Sequence, residues 1–219
     1  LLFMSRRGWV LFTSLGIIWG TPYLFIRVAV EHLSPAVVVL GRMTLAVLLL
    51  WPVARRHHLR HIWQRHRHGI VAFACAEMVF PFGALSVAER RISSSLAGLL
   101  IAAVPLVAAL LLRRINHEDQ WDRRRVLGLL VGFAGVASLV GLDVRADNWW
   151  SIALCFVAVV GYALGPIVIT TMLSDAPQIA VITLAQAVAA AMYSPLLAYE
   201  IVTGTWKAPG PVPLASWLS

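Results

Sequence analysis

The sequence predicts an all-α integral membrane protein, a multi-helix bundle, and three observations support this fold class. Sixty per cent of the 219 residues are hydrophobic and only 13% are charged, whereas soluble domains carry about 25% charged residues. The mean hydropathy is +0.81. Apolar segments long enough to cross a bilayer as helices recur along the chain, and one pair of them is repeated 142 to 143 residues later.

Seven segments meet or approach the length of roughly 20 residues that a helix needs to cross the hydrocarbon core. The connections between them are short, so neighbouring helices are expected to run antiparallel. The predicted spans are Trp9–Val30, Pro35–Val53, Gly69–Ala88, Ser93–Leu112, Val126–Leu142, Trp149–Met172 and Gln178–Val202.

The arginines and the single lysine predict the orientation of the chain in the membrane. Cytoplasmic loops of membrane proteins carry an excess of these residues. With the N-terminus inside, twelve of them lie on the inner side and four on the outer side, and the remaining two, Arg27 and Arg42, fall within spans. We therefore predict a multi-pass protein of the plasma membrane with a cytoplasmic N-terminus.

An internal repeat divides the chain. Its landmarks in the first copy are Trp19-Gly20, Pro35 and Pro52, and in the second copy they are Tyr162-Ala163, Pro177 and Pro195. Five predicted spans lie within one period, and an odd number makes the second copy enter the membrane from the opposite side. Secondary transporters with inverted repeats are built in this way, and they bind substrate near the midplane where the two halves meet.

Several short motifs, in their order and spacing, resemble the EamA-type transporters of the drug/metabolite transporter (DMT) superfamily. The resemblance covers residues 9 to about 203, nearly the whole chain. Its most specific part is the stretch Ala88–Gly98, which runs on to Pro105. The other parts are Trp19-Gly20, Pro35 with Arg42 seven residues later, Glu118, and the glycine-rich stretch Gly128–Val136.

The resemblance implies a ten-helix carrier made of two inverted halves of five helices each. Residues 9–142 are then the first EamA repeat, and residues 149–219 are an incomplete second repeat of two helices and the start of a third. We therefore expect seven of the ten helices, in a chain truncated at its C-terminus by roughly 80 residues.

The function that the resemblance implies is secondary transport. We expect the protein to move small metabolites, such as amino acids or drug-like compounds, across a bacterial plasma (inner) membrane by alternating access, with export as the expected direction. The sequence has no GxxxxGK phosphate-binding loop, so ATP-driven transport by this chain is unsupported. The expected partners are the small solute and the lipid bilayer, and neither an enzymatic activity nor a cofactor is expected.

Ionisable residues at membrane depth are the strongest pointers to a site, because placing one at the bilayer centre costs at least about 2.5 kcal/mol. Glu77 is the most deeply placed acid, about 12 Å from one face at helical rise. We hypothesise that it handles substrate and couples transport to protons, the alternative being a neutral or arginine-paired structural group. The resemblance places Arg42 at the central cavity. Arg27 lies four residues before Glu31 and is expected to pair with it or to snorkel.

Aromatic and polar residues at helical spacing extend the predicted cavity. Trp19 and Tyr23 share one face of the first span, and Gln186 lies on a face of the seventh span that also carries Tyr193 and Glu200. The alternative is that the aromatic residues fill helix gaps or form interfacial belts. The residues predicted to line the substrate cavity are Trp19, Tyr23, Arg42, Glu77, Tyr162 and Gln186.

Two further clusters have simpler interpretations. Gly128, Gly132 and Gly135 form a small-residue face in the fifth span, which favours close helix packing within the monomer and leaves a homodimer open. Five histidines lie in the predicted loop Arg55–His68, but the arginines among them oppose a bound cation. We therefore expect no metal site there and favour a lipid-contacting cytoplasmic loop.

Three other function classes have less support in the sequence. The net charge of +8 does not indicate nucleic-acid binding, because the basic residues lie in short loops. An integral-membrane enzyme acting on lipid-linked substrates would need an acidic or histidine cluster at an interface, and the only cluster of this kind is His117, Glu118, Asp119 and Asp122. No nucleophile or metal spacing accompanies it. An inactive fragment is the third alternative.

Overall fold

The computed structural model describes residues 6–115, 126–128, 130–132, 134–135, 138 and 149–204. In these residues every regular element is helical. A 3-10 turn, Arg55–His57, precedes α3, and a π-helical turn, Cys75–Val79, joins α3 to α4. The helices are α1 (Arg6–His32), α2 (Pro35–Ala54), α3 (Leu59–Ala74), α4 (Phe80–Ala88), α5 (Ser94–Ile101), α6 (Val104–Ile115), α7 (Trp149–Met172) and α8 (Gln178–Val202).

Six helical segments of the described residues are long and apolar enough to cross a membrane. The α3 helix, the π-helical turn and α4 together form one of them, and α5 continues into α6 to form another. This confirms an all-α, multi-pass membrane protein. The fifth predicted span, Val126–Leu142, lies in large part outside the described residues. The six segments are Arg7–His32, Pro35–His57, Leu59–Ala88, Ser94–Leu112, Trp149–Met172 and Gln178–Val202.

The third span begins ten residues earlier than predicted, at Leu59 and not at Gly69, so the prediction of a loop over Arg55–His68 is wrong for most of that segment. The physical reason is amphipathicity. Ile62 is buried, and Trp63 packs against the same apolar cluster. Most of the arginines and histidines of the segment Arg55–His68 are exposed. A polar segment with one apolar stripe can therefore extend a transmembrane helix beyond the bilayer core.

Serine side chains cap α2 and α5, two helices that start on the predicted outer side. The Val37 N–H donates to Ser34 Oγ at the start of α2 (3.3 Å), and the Leu96 N–H donates to Ser93 Oγ at the start of α5 (3.2 Å). Each cap satisfies one of the free N–H groups of a first helical turn. Pro35 follows Ser34 at the first helical position, where the missing N–H costs nothing.

Two polar contacts fix how the helices align. Ser34, before α2, donates a hydrogen bond to the Glu200 carboxylate near the end of α8. Arg65, in the early part of α3, forms an ion pair of 2.8 Å with Asp175 in the connection between α7 and α8. Because α2 and α8 also share the most extensive interface of the bundle, they run antiparallel. We call the two ends of the bundle the Glu200 end and the Asp175 end.

Candidate functional site

A cavity of about 310 Å³ opens between α1, α2, α4, α7 and the π-helical turn. Five of the six residues that the sequence assigned to a cavity line it, namely Trp19, Tyr23, Arg42, Glu77 and Tyr162. The other lining residues are Ile18, Pro22, Ile26, Phe82 and Leu85. The wall is therefore mainly aromatic and apolar, with one cation and one acid.

Arg42 projects from α2 and stacks on an aromatic ring. Its Cζ lies 4.0 Å from the centre of the Phe82 ring, within the range of a favourable cation–π contact. Among the described residues no carboxylate lies within ion-pair distance of Arg42. The guanidinium therefore keeps its hydrogen-bond donors available to a ligand in the cavity.

Glu77 is carried by the π-helical turn, and Pro81 explains that turn. A proline ring clashes with the carbonyl four residues before it, which here is the carbonyl of Glu77. The chain widens by one residue, and the Phe80 N–H donates to the Cys75 carbonyl oxygen five residues back. Turns of this kind often occur at functional sites. The Glu77 Oε2 atom is buried and has no hydrogen-bond partner in the described residues.

Two glycines of α7 allow Glu77 to lie where it does. A methyl group on Gly165 would overlap the Glu77 carboxylate, and one on Gly161 would overlap the Ala76 carbonyl oxygen and lie 2.7 Å from Pro81 Cγ. Sequence reasoning singled out the glycines of the fifth span and missed this pair. The sequence nevertheless contained a sign of this contact, because Gly161 and Gly165 have the GxxxG spacing that is typical of close helix contacts.

A second, larger cavity of about 770 Å³ adjoins the first on the side of α5 and α6. The two share Trp19, Tyr23, Glu77 and Tyr162. The remaining lining is apolar or glycine: Gly20, Gly98, Ile101, Ala102, Val104, Pro105 and Pro166. Glu77, Tyr23 and Tyr162 thus lie at the junction of a small mixed cavity and a larger apolar one, whereas Arg42 lines only the small one.

The structure does not bring Gln186 to either cavity. It lies on α8, where its Oε1 atom is buried without a hydrogen-bond partner in the described residues. The other members of that polar stripe form contacts between helices. The Tyr193 hydroxyl donates to the Val79 carbonyl oxygen (2.7 Å), and Glu200 accepts from Ser34. The stripe therefore joins α8 to α2 and to the π-helical turn.

The glycine face of the fifth span is described only in part. Gly132 lies against Leu106 of α6, where a methyl group would stand 3.0 Å from Leu106 Cδ2. Methyl groups on Gly128 and Gly135 would meet nothing within 4 Å in the described residues. The cluster of His117, Glu118, Asp119 and Asp122 lies outside the described residues.

At the Glu200 end, Arg27 ties α1 to the connection between α4 and α5. It pairs with Glu31 (3.4 Å), and it also donates to the main-chain oxygens of Glu89 and Ile92, the latter at 2.9 Å. Glu89 itself is fully buried and follows Leu85, a cavity-lining residue, by one helical turn. The sequence analysis included Glu89 only as part of the stretch Ala88–Gly98 that carries the family resemblance.

Comparisons with known proteins point to a family of transporters. A model of the EamA-like transporter family matches residues 6–141, more than half of the chain. The chain is 27% identical over 160 residues to the uncharacterized inner membrane transporter YedA of Escherichia coli, in strains K12, O6:H1 and O157:H7. That match covers 70% of this chain and 50% of the relative, so the chain spans about half the length of the curated relatives it matches. No solved structure matches it. The chain belongs to the EamA-like transporter family of the drug/metabolite transporter superfamily.

Proposed function

We propose that this membrane transporter carries small zwitterionic metabolites, with amino acids as the substrate class, out of the bacterial cytoplasm across the inner membrane by alternating access. The observation that carries the proposal is the pair Arg42 and Glu77. Both line the cavity of about 310 Å³, yet they form no ion pair with each other. A cation and an acid held apart in one cavity match the two charges of an amino acid.

The chemistry of the lining assigns a role to each group. The Arg42 guanidinium offers two parallel N–H donors to a carboxylate, the geometry in which arginine binds most strongly. The Glu77 carboxylate accepts from the substrate ammonium, and the faces of Trp19 and Tyr162 attract the same cation. The apolar part of the substrate then enters the adjoining cavity of about 770 Å³.

Glu77 also supplies a means of energy coupling. One carboxylate can hold either a proton or the substrate ammonium, so the two compete for the same oxygens. Exchange of an inward-moving proton for an outward-moving substrate follows from that competition, and it gives the expected direction of export. The positive-inside rule predicts that the Asp175 end and the N-terminus face the cytoplasm.

The test uses three probes of one shape. L-leucine carries both charges, 4-methylpentanoate lacks the amine, and 3-methylbutylamine lacks the carboxylate. In the purified protein, Arg42→Gln should weaken binding of the first two probes, and Glu77→Gln should weaken binding of L-leucine and of the amine. Loss of one charge-assisted hydrogen bond is worth roughly 1.5–3 kcal/mol, so each dissociation constant should rise about 10- to 100-fold.

Exposed residues at the Glu200 end provide matched controls. Arg91→Gln and Glu31→Gln remove the same charges outside the cavity and should leave all three affinities unchanged. Equal weakening of all probes by Arg42→Gln would contradict the assignment of the carboxylate to Arg42.

The same Glu77→Gln variant reports on the coupling to protons. Uptake of L-leucine into proteoliposomes should depend on pH in the wild type and lose that dependence in Glu77→Gln, because the amide does not titrate. An unchanged pH profile in the variant removes Glu77 from the coupling.

A further inference from the structure

A separate cavity of about 320 Å³ lies at the Asp175 end, between the 3-10 turn, the first turns of α3 and the connection from α7 to α8. None of its residues lines the two cavities described above. Its wall is mainly basic. The lining residues are Arg56, His57, His58, His61, Ile62, Arg65, His66, Asp175, Ala176 and Pro177.

The basic groups of this wall outnumber its acids. Asp175 is the one acid of the lining, and it is engaged by Arg65 at 2.8 Å and by His66 at 3.7 Å. The other basic lining residues, Arg56 with His57, His58 and His61, form no ion pair with a described residue. Several hydrogen-bond donors therefore face one cavity without a counter-ion, and an anion in the cavity would accept hydrogen bonds from them.

We propose that this cavity binds the phosphate group of an anionic phospholipid. A guanidinium binds phosphate oxygens through parallel N–H donors, and an imidazole N–H donates to them in either protonation state. Basic pockets between transmembrane helices at a membrane face are known to take anionic headgroups. A lipid bound at this site would anchor the protein in its bilayer, and this role is independent of the transported substrate.

Two neighbouring features favour a lipid over a soluble phosphate. The last turns of α2, which lead directly into Arg55, expose Leu48, Leu49 and Trp51, an apolar surface on which acyl chains can lie. On the other side, an adjoining groove of about 510 Å³ shares His58 and His61 and adds Arg60, Leu59 and Gln64. That groove gives room for the rest of a headgroup beyond its phosphate.

The experiment measures lipid binding to the purified protein in neutral detergent by native mass spectrometry. Phosphatidylglycerol is compared with phosphatidylcholine, which carries the same phosphate without net negative charge. The wild type should retain phosphatidylglycerol at least about tenfold more tightly than phosphatidylcholine. Equal retention of the two lipids overturns the proposal without requiring any variant.

The variants locate the site. The double variant Arg56→Gln with His61→Gln should lower the affinity for phosphatidylglycerol by about tenfold. The matched double variant Arg90→Gln with Arg91→Gln removes exposed basic charge at the Glu200 end and should leave the affinity unchanged. Equal loss in the two double variants shows that only net charge matters, and it overturns the assignment to this cavity.

A further arm distinguishes the source of the phosphate. Inorganic phosphate and glycerol 3-phosphate carry the anion without acyl chains, and at millimolar concentration they should displace phosphatidylglycerol only weakly. If either soluble phosphate displaces phosphatidylglycerol at a concentration equal to that of the lipid, the site binds a soluble phosphate, and the assignment to a lipid is wrong. Since Arg56 and His61 are exposed, an unchanged thermal unfolding curve of the double variant is expected and is measured alongside.

Discussion

Glu89 shows how strongly burial can change the pKa of a residue that the sequence places in a loop. It follows Ala88, the last residue of its membrane span, yet it is 0% exposed, and neither carboxylate oxygen has a hydrogen-bond partner in the described residues. Burial raises the pKa of the Glu89 carboxyl to about 8, although the positive charges of Arg27 and Arg42 oppose the shift. The carboxyl is therefore protonated in the folded protein over much of the range in which a solvated glutamate is ionised.

This shift predicts a fall of stability with rising pH. Between the ordinary value of 4.5 and about 8 the folded protein binds more protons than the unfolded chain, so the free energy of unfolding decreases as the pH rises through that window and levels off above it. Glu89→Gln removes this slope. In detergent, the Tm of the wild type relative to that of Glu89→Gln should fall by several degrees between about pH 5 and about pH 8.

The control for this prediction is Glu31→Gln, which removes a half-exposed carboxylate at the same end of the bundle. That variant should keep the pH slope of the wild type. A slope that persists in Glu89→Gln would assign the titration to another group.

Among the elements, the π-helical turn and α7 depend on each other. Pro81 forces the turn to widen, and Tyr193 of α8 donates to the Val79 carbonyl oxygen at its end. The widened turn can pack against α7 only because Gly161 and Gly165 carry no side chain at the contact. The position of the Glu77 carboxyl is thus set jointly by a proline in one span and a glycine in another.

Gly165→Ala should therefore destabilise the protein. The added methyl group overlaps the Glu77 carboxylate, and overpacking of this kind typically costs about 1–3 kcal/mol. A lowered Tm in detergent measures the effect. Gly16→Ala in α1 is the matched control, because its methyl group meets nothing within 4 Å and alanine favours the helix. An equal Tm for the two variants would show that α7 does not approach Glu77 closely.

For the whole molecule, the contacts of the described residues establish which helix ends lie together, and the charges predict which end is inside. Arg65 meets Asp175 at one end, and Ser34 meets Glu200 at the other. Nine residues of the 3-10 turn and α3 that precede Gly69 are arginine or histidine, so most of the basic residues near the bundle are concentrated at the Asp175 end.

A labelling experiment tests this orientation in a chain whose two cysteines, Cys75 and Cys155, are replaced by alanine. Arg60→Cys and Arg91→Cys each place one exposed thiol, at the Asp175 end and at the Glu200 end. In intact bacterial cells a membrane-impermeant maleimide should label Arg91→Cys and not Arg60→Cys. The reverse pattern would invert the topology, and labelling of both would contradict a span between them.

The sequence predicted the apolar spans well and their polar extensions poorly. The bounds of α7 and α8 agree with prediction to the residue, because their apolar runs end at clear polar or proline positions. The start of α3 was missed by ten residues, since hydropathy cannot distinguish an amphipathic helix end from a basic loop.

For the site, helical spacing placed Trp19 and Tyr23 on one face of α1, and both line the cavity of about 310 Å³. Gln186 lines neither of the two cavities, because a common face along α8 does not reveal which neighbour that face meets.

What the sequence determined by itself is the membrane class, the placement of most spans and the family, all of which follow from apolar length, charge asymmetry and motif order. The tertiary structure alone decided that Arg42 and Glu77 do not pair with each other in the cavity they line, that Glu89 is buried, and that Gly161 and Gly165 admit the π-helical turn. The physical reason is that side-chain burial and pairing depend on the rotation of each helix against its neighbours. That rotation is set by packing between residues far apart in the chain.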